Sequence, residues 1–360
     1  ETQVNDLLEN HKLTAGGLVI TNLRSGDLYA EYEFLKYWLD FKVRLDRNTI
    51  FMRDNNEDLL IQKYTLNKFT VGASLPVTNW LRFELNPFYA QTNFNNLQFE
   101  NVVNRGTQDF AEDAQVHYMG ATGRMVFDNT IQKGFNLQHG TRFLLQGDVF
   151  QSLNDASKNF SNVRFDFRHY QQIHREITWA TRVFYGQFFG PNRQNYLIGG
   201  VPNWLFNKTR SHVSGDPLAL SNSLNNSNLL FVDYTTNLRG FNYNERFGSS
   251  TFLVNTELRI PIFRYLSSAP LSSNFLRNFF MTGFADFGSA WDGPIPLNPD
   301  RSSLEVEYDE EIFKARIKNF SNPWLASYGL GVRTLLLGYY ARFDYAWPLR
   351  DFVPGDPKFT

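Results

Sequence analysis

The sequence predicts an all-β protein, a transmembrane antiparallel β-barrel with one long loop folded into its lumen. Apolar and polar residues alternate in about thirteen segments of roughly ten residues each, as membrane strands do when one face meets lipid and the other a polar lumen. Aromatic residues make up 16% of the 360, with 35 Phe and 17 Tyr, yet hydrophobic residues total only 42%. The connections between segments alternate between short and long, a third mark of such barrels.

In chain order the segments centre near residues 17, 31, 45, 68, 87, 121, 146, 166, 182, 256, 284, 331 and 342. Around 45, Leu39, Phe41, Val43 and Leu45 interleave with Asp40, Lys42, Arg44 and Asp46. Around 87, Leu81, Phe83 and Leu85 oppose Arg82, Glu84 and Asn86. Around 166, Val163, Phe165 and Phe167 oppose Arg164, Asp166 and Arg168. In the strand Leu253–Pro261, Val254, Thr256, Leu258 and Ile260 share one face, and Asn255, Glu257 and Arg259 the other. Asp286 shares a face with Thr282, Phe284 and Gly288. In the last segment, Tyr339, Ala341, Phe343 and Tyr345 oppose Tyr340, Arg342, Asp344 and Ala346.

Any one such segment would suit a half-buried strand of a soluble sandwich. A soluble all-β chain of this length, however, usually divides into two sandwiches joined by a linker, and no stretch here reads as one. No run approaches the ~18 apolar residues of a spanning helix, and mean hydropathy is −0.38. Residues 1–360 read as a single barrel domain. Tyr339, Tyr345, Trp347, Trp179 and Tyr185 fall on the lipid face near strand ends, where an interfacial aromatic girdle is expected.

Short connections fall near Lys36–Trp38, Pro76–Asn79, Gln171–Arg175 and Leu336–Gly338, long ones near Phe94–Glu112, Pro191–Asn237 and Asp292–Trp324. Asn129–His139 is an unusually long connection on the short side. The long loops are expected at the cell exterior. The acidic run Glu305–Glu311 reads as a solvated loop face rather than a calcium site, within a loop that also holds Pro294, Pro296 and Pro299.

A net charge of −1 makes no electrostatic case for nucleic acid. The lack of cysteine excludes disulfides, thiol catalysis and thiolate metal sites. His11, His117, His139, His169, His174 and His212 lie in separate segments without metal-ligand spacing. Ser249-Ser250 and Ser267-Ser268 lack a nucleophile elbow, and no glycine-rich phosphate cradle occurs. Glu84, Asp148, Asp166 and Asp344 are expected to form ion-pair ladders with Arg82, Arg164, Arg168 and Arg342 on a wet inner wall. The reading is of a non-enzyme without cofactor or metal. No signal peptide is visible at Glu1-Thr2-Gln3-Val4, so an outer-membrane destination implies one removed, or a start inside a longer precursor.

The motif Leu238-Arg239-Gly240-Phe241 lies in the longest loop, ahead of two strands that carry Glu257 and Asp286. A loop arginine with carboxylates on neighbouring strand faces predicts a loop folded back and tied inside the barrel, because a guanidinium fork suits two carboxylates. Gly240 would allow a tight turn, and Phe241 would wedge against lumen side chains.

These residues resemble the BamA-type superfamily of outer-membrane barrels, the bacterial surface antigens. Leu238-Arg239-Gly240-Phe241 is similar to the family's valine/leucine-Arg-Gly-Phe/Tyr motif, with Gly199-Gly200 ahead of it. Asn255–Pro261, Gly283–Trp291, Tyr328–Arg333 and Arg342–Pro348 resemble the strands that follow, in the family's order. Asp6–His11 looks like a degenerate Asp-x-x-Gly-Asn-His segment with Glu9 in place of glycine. Val126–Thr130 with Gly140 resembles a strand end and turn, without the family's proline. Leu197–Phe206 and Phe263–Leu266 resemble a subgroup whose barrel follows a TolB-like β-propeller. The resemblance implies sixteen strands, of which the third to fifteenth fall here, the first two before Glu1 and the last from about Phe359-Thr360. It implies that Arg239 enters the lumen to pair with Glu257 and Asp286.

The activity implied is insertion or translocation of proteins at the outer membrane, with membrane lipid, nascent outer-membrane or secreted proteins, and other complex subunits as partners. A passive channel and a structural scaffold anchoring a larger outer-membrane complex stand as alternatives.

Overall fold

The computed structural model describes residues 1–19, 26–53, 61–96, 114–202, 229–235, 237–267, 271–293, 304–310, 313–319, 323–336 and 338–360. Outside them lie most of Phe94–Glu112, the middle of Pro191–Asn237 with Asn203–Phe206 and His212, Ser268, the three prolines after Asp292, and Glu311.

Alternation with a period of two puts successive side chains on opposite faces, so each alternating segment forms a strand with a polar and an apolar side. The chain opens with β1 (Thr2–Asn5), β2 (His11–Val19), β3 (Gly26–Phe34), β4 (Asp40–Arg53), β5 (Ile61–Pro76), β6 (Leu81–Asn96) and β7 (Ala114–Asp128). After a small β8 (Ile131–Gly134) come β9 (Leu137–Ser152), β10 (Phe160–His174) and β11 (Ile177–Phe189). Three short strands follow, β12 (Tyr196–Ile198), β13 (Asp233–Thr235) and β14 (Arg246–Gly248), then β15 (Ser250–Ile260) and β16 (Phe280–Trp291). The chain ends with β17 (Leu304–Glu310), β18 (Phe313–Asn319), β19 (Leu325–Leu336), β20 (Tyr339–Arg350), β21 (Val353–Pro354) and β22 (Lys358–Phe359). Seventeen strands form one antiparallel sheet, and each of the thirteen sequence segments is one of its long strands.

The wall runs in sequence order from β1 to β11, apart from the small β8, and on through β15, β16, β19, β20 and β22. Every neighbouring pair is antiparallel. Thr2–Asn5 pairs back along Lys12–Ala15, so strand pairing begins at Thr2, earlier than the sequence count places it. At the other end Phe359 pairs with Tyr345. Among the described residues β1 and β22 share no pairing.

One chain segment proves that this sheet curls. Leu229 packs with Tyr64 of β5 and Phe94 of β6. Phe231 lies 5.7 Å from Tyr118 of β7 and 4.9 Å from Phe160 of β10, ring to ring. Arg239 reaches β15 and β16, and Glu245 pairs with Arg350 of β20 at 2.5 Å. A short segment that touches the same face from β5 to β20 lies inside a barrel wall.

The two faces are inverted relative to a water-soluble protein. Leu330 is 58% exposed and Phe343 44%, whereas Arg333 is 1% exposed and Asp344 0%. Outward aromatics stack across strands, Phe127 on Phe143 at 5.3 Å and Tyr328 on Trp347 at 5.6 Å. The outward Trp179 donates its indole N–H to Thr256 across the β11–β15 pair at 2.5 Å, which satisfies a polar group within an apolar face.

Strand direction sorts the connections onto two ends. Pro191–Asn237 and Asp292–Trp324 leave from the same end, and the short turns from the other. The segment Asp292–Trp324 is not only loop, since β17 and β18 form a two-stranded sheet there and the acidic run from Glu305 to Glu310 lies in β17. On the short-turn end two connections are long. Pro261–Phe279 carries two helical turns, α1 (Ile262–Leu266) and α2 (Asn274–Arg277). The stretch Asn129–His139 folds into the β8–β9 hairpin and turns inward. Its Phe135 ring meets Tyr340 at 5.4 Å and Phe280 at 6.4 Å, and its Asn136 carbonyl accepts a 3.2 Å hydrogen bond from Arg259. The hairpin therefore crosses the short-turn mouth from β7 and β9 to β15, β16 and β20.

Candidate functional site

The loop between β11 and β15 enters the lumen as a small three-stranded sheet. β12 is central, parallel to β13 and antiparallel to β14. Two glycines allow it. A Cβ at Gly199 would sit 1.8 Å from the Asn242 carbonyl oxygen, and Gly240 has φ +83° with its hydrogens turned toward Ala346 of β20. Phe241 is completely buried among Tyr196, Ile198, Leu238 and Leu253, a burial worth about 1.5–3 kcal/mol.

Arg239 is 3% exposed and lies where β15, β16 and β20 converge. Its Nε donates to Asp286 Oδ2 and its Nη2 to Asp286 Oδ1, both at 2.7 Å. Its backbone N–H donates to Asp286 Oδ2 at 3.2 Å, and its Nη1 to Glu257 Oε2 at 2.8 Å. The guanidinium carbon stands 3.5 Å over the Phe284 ring, a cation–π stack in a dehydrated setting. Burial alone would favour a neutral arginine. The charges of Asp286, Glu257 and Asp344, and the hydrogen bonds to Asp286, outweigh it and raise the Arg239 pKa above the ordinary arginine value. The structure thus brings together Arg239, Glu257 and Asp286. Leu238 and Phe241 pack beneath them, and Gly240 forms the turn.

Register builds this site. Asn255 stands directly opposite Asp286 across β15–β16, and Glu257 opposite Phe284. Asn255 Nδ2 bridges Asp286 Oδ1 at 2.7 Å and the Asn237 carbonyl at 2.6 Å, which ties the loop to the wall a second time.

Three further residues join the network: Arg342 and Asp344, which the sequence placed in an inner-wall ion-pair ladder but not beside the clamp, and Arg333, which it did not single out. Arg333 pairs with Asp344 at 2.6 Å and Glu257 at 3.2 Å, and Arg342 pairs with Asp344 at 2.7 Å. The signal was present in the glycines of Tyr328-Gly329-Leu330-Gly331. A Cβ at Gly329 would sit 2.5 Å from the Phe284 ring, and one at Gly331 2.1 Å from Asp344 Oδ1. Those glycines clear space for the ring under Arg239 and for the carboxylate behind it.

The other inner carboxylates hold arginines or lysine. Glu84 pairs with Arg82 at 2.8 Å and Lys42 at 3.4 Å, and Asp166 with Arg168 and Arg182 at 2.9 and 2.8 Å. Asp148 stands 3.9 Å from Arg164, which also reaches Asp233 of the inner loop at 2.9 Å. The described histidines stay apart, for example His117 on Tyr89 and His169 on Thr141. Among the described residues no group of three metal-ligating side chains occurs.

No protein-family model matches the chain, and no curated sequence does. Among solved structures, BamA from Haemophilus ducreyi lacking POTRA domains 1–3 superposes over 99% of the chain, with a TM-score of 0.65 and 13% identity. The fold is that of the BamA barrel. CdiB from Escherichia coli matches over 99% of the chain at a TM-score of 0.51 and 11% identity, and CdiB from Acinetobacter baumannii over 98% at 0.52 and 11%. The chain spans 65%, 57% and 52% of those three proteins' own lengths.

Proposed function

We propose that the chain is a BamA-like outer-membrane barrel that takes part in inserting or translocating proteins, with lipid around its wall and unfolded barrel or secreted chains as substrates. The observation that carries the reading is the inner loop clamped to the wall by Arg239, Asp286 and Glu257. An open pore needs no such clamp, and here it holds a folded sheet across the lumen. The inverted exposure of the two faces supports the membrane setting, and the shared fold with BamA and CdiB supports the class of work. A loop bonded through Arg239 would keep the lumen closed while a substrate strand pairs with the wall's backbone edge.

A passive channel fits less well, because the lumen is crossed by the loop from one end and by the β8–β9 hairpin from the other. In the subgroup with a TolB-like propeller, the barrel would anchor a soluble domain, a reading that rests on Leu197–Phe206 and Phe263–Leu266. The full-length reading frame tests that point directly.

The experiment for the main reading is reconstitution. Full-length protein in vesicles should speed the folding of an added outer-membrane barrel, read as its heat-modifiable band on a gel. No acceleration over empty vesicles would sink it. Conductance without folding activity would assign a channel, and fixed partners without an assembly defect on deletion would assign a scaffold.

A further inference from the structure

Next to the clamp lies a lumen cavity of about 160 Å³ whose charged lining is almost entirely cationic. Arg168, Arg182, Arg239, Arg259, Arg333 and Arg342 all border it, and Glu257 is its one acidic lining residue. The carboxylates that pair with these arginines are Asp166, Glu257, Asp286 and Asp344. Among the described residues six positive charges thus meet four negative ones, an excess of two.

Hydrogen bonding is unbalanced in the same direction. Six guanidiniums present roughly thirty N–H donors, against roughly sixteen lone-pair sites on four carboxylates. Some of the surplus goes to backbone, as Arg259 to Asn136 and Arg333 to Val332, and some to the Asn237 side chain, which accepts from Arg342 at 3.3 Å. Arg342 Nη2 is buried and finds no acceptor among the described residues. Water can fill donors but cannot cancel charge, whereas an oxyanion does both and fits the guanidinium fork.

We propose that this cavity is a binding site for a small free oxyanion of the phosphate or sulfate class. The bound ion bridges Arg168 and Arg182 on the neighbouring strands β10 and β11 to Arg259 on the next strand, β15, and to Arg342 on β20, and so ties one stretch of the wall together beside the clamp. A cavity of this size admits an inorganic ion and excludes a polypeptide. The site stands independently of whether the barrel inserts proteins.

The test uses the full-length protein in detergent micelles, titrated with inorganic phosphate against chloride at matched ionic strength. A ligand bound by the folded state alone raises stability in a saturable way. The expected result is a saturating rise of several degrees in the heat-unfolding midpoint, kept in Arg82→Gln and lost in the double variant Arg168→Gln/Arg259→Gln. That double variant leaves every carboxylate at least one arginine, since Asp166 keeps Arg182 and Glu257 keeps Arg239 and Arg333. A non-saturating rise, no rise beyond chloride, or an equal rise in the double variant overturns the site. If the double variant fails to fold, selenate soaked into crystals of the unaltered protein decides. An anomalous peak within hydrogen-bond reach of Arg168 or Arg259 supports the site, and its absence overturns it.

Discussion

Asp286 accepts three hydrogen bonds from Arg239, two from the guanidinium and one from the backbone N–H. One carboxylate therefore fixes both the side chain and the main chain of the loop. Asp286→Ala should leave a buried guanidinium short of its main partner, at a cost of about 3–5 kcal/mol. Residues in direct contact do not act additively. Arg239→Gln combined with Asp286→Asn should cost clearly less than the sum of the two single changes in unfolding of the micelle-bound barrel. Strict additivity would mean that the two do not act as a pair.

The glycines of β19 give a second expectation. Gly331→Ala places a methyl 2.1 Å from Asp344 Oδ1 and 2.8 Å from Arg333 Nη1, so the ion pair must shift. Overpacking of this kind costs about 1–3 kcal/mol. Gly147 has nothing within 4 Å of its would-be Cβ, and Gly147→Ala should change stability by less than about 0.5 kcal/mol. Equal effects at the two positions would contradict the packing described.

The outward face makes a third. Leu330→Arg should destabilise the barrel by about 2–4 kcal/mol in a bilayer, where the arginine would face hydrocarbon. A soluble sheet would tolerate the same change at so exposed a position. Folding yield into lipid vesicles distinguishes the two, and an undiminished yield would place that face in water.

Closure from both ends makes a fourth. Arg239→Ala frees the inner loop, and Phe135→Ala removes the ring that meets Tyr340 and Phe280. In planar bilayers the double change should conduct more than either single change, because each obstruction is in series with the other. Full conductance from Phe135→Ala alone would show that the loop blocks nothing.

The wall was legible because a two-sided environment imposes a two-residue period, and parity then fixes which residues share a face. That logic places Asn255, Glu257 and Arg259 together from β15 alone. It does not show that Arg333 and Asp344 join Arg239, since that depends on the register between β16, β19 and β20. β17 reads as loop from its charges alone. Its partner supplies the missing signal: Glu305, Glu307 and Asp309 stand opposite Lys318, Arg316 and Lys314 in register. The Asn129–His139 stretch showed its length but not its destination. Its contacts with Arg259, Phe280 and Tyr340 span more than a hundred residues of chain, beyond the reach of a local pattern.

The partners of Arg239 all come later in the chain than Arg239 itself: Glu257 on β15, Asp286 on β16 and, at 4.0 Å, Asp344 on β20. A polypeptide emerging from its amino end would carry an unsatisfied guanidinium until those strands arrive and pair. The clamp can lock only after β15 and β16 have zipped in register, so it dates the end of assembly rather than its beginning. A chain cut before Phe280 would keep the loop sequence and lose its strongest anchor, and should expose the loop to protease. Pulse-chase proteolysis should accordingly find the loop protected last, after the early wall strands have become resistant.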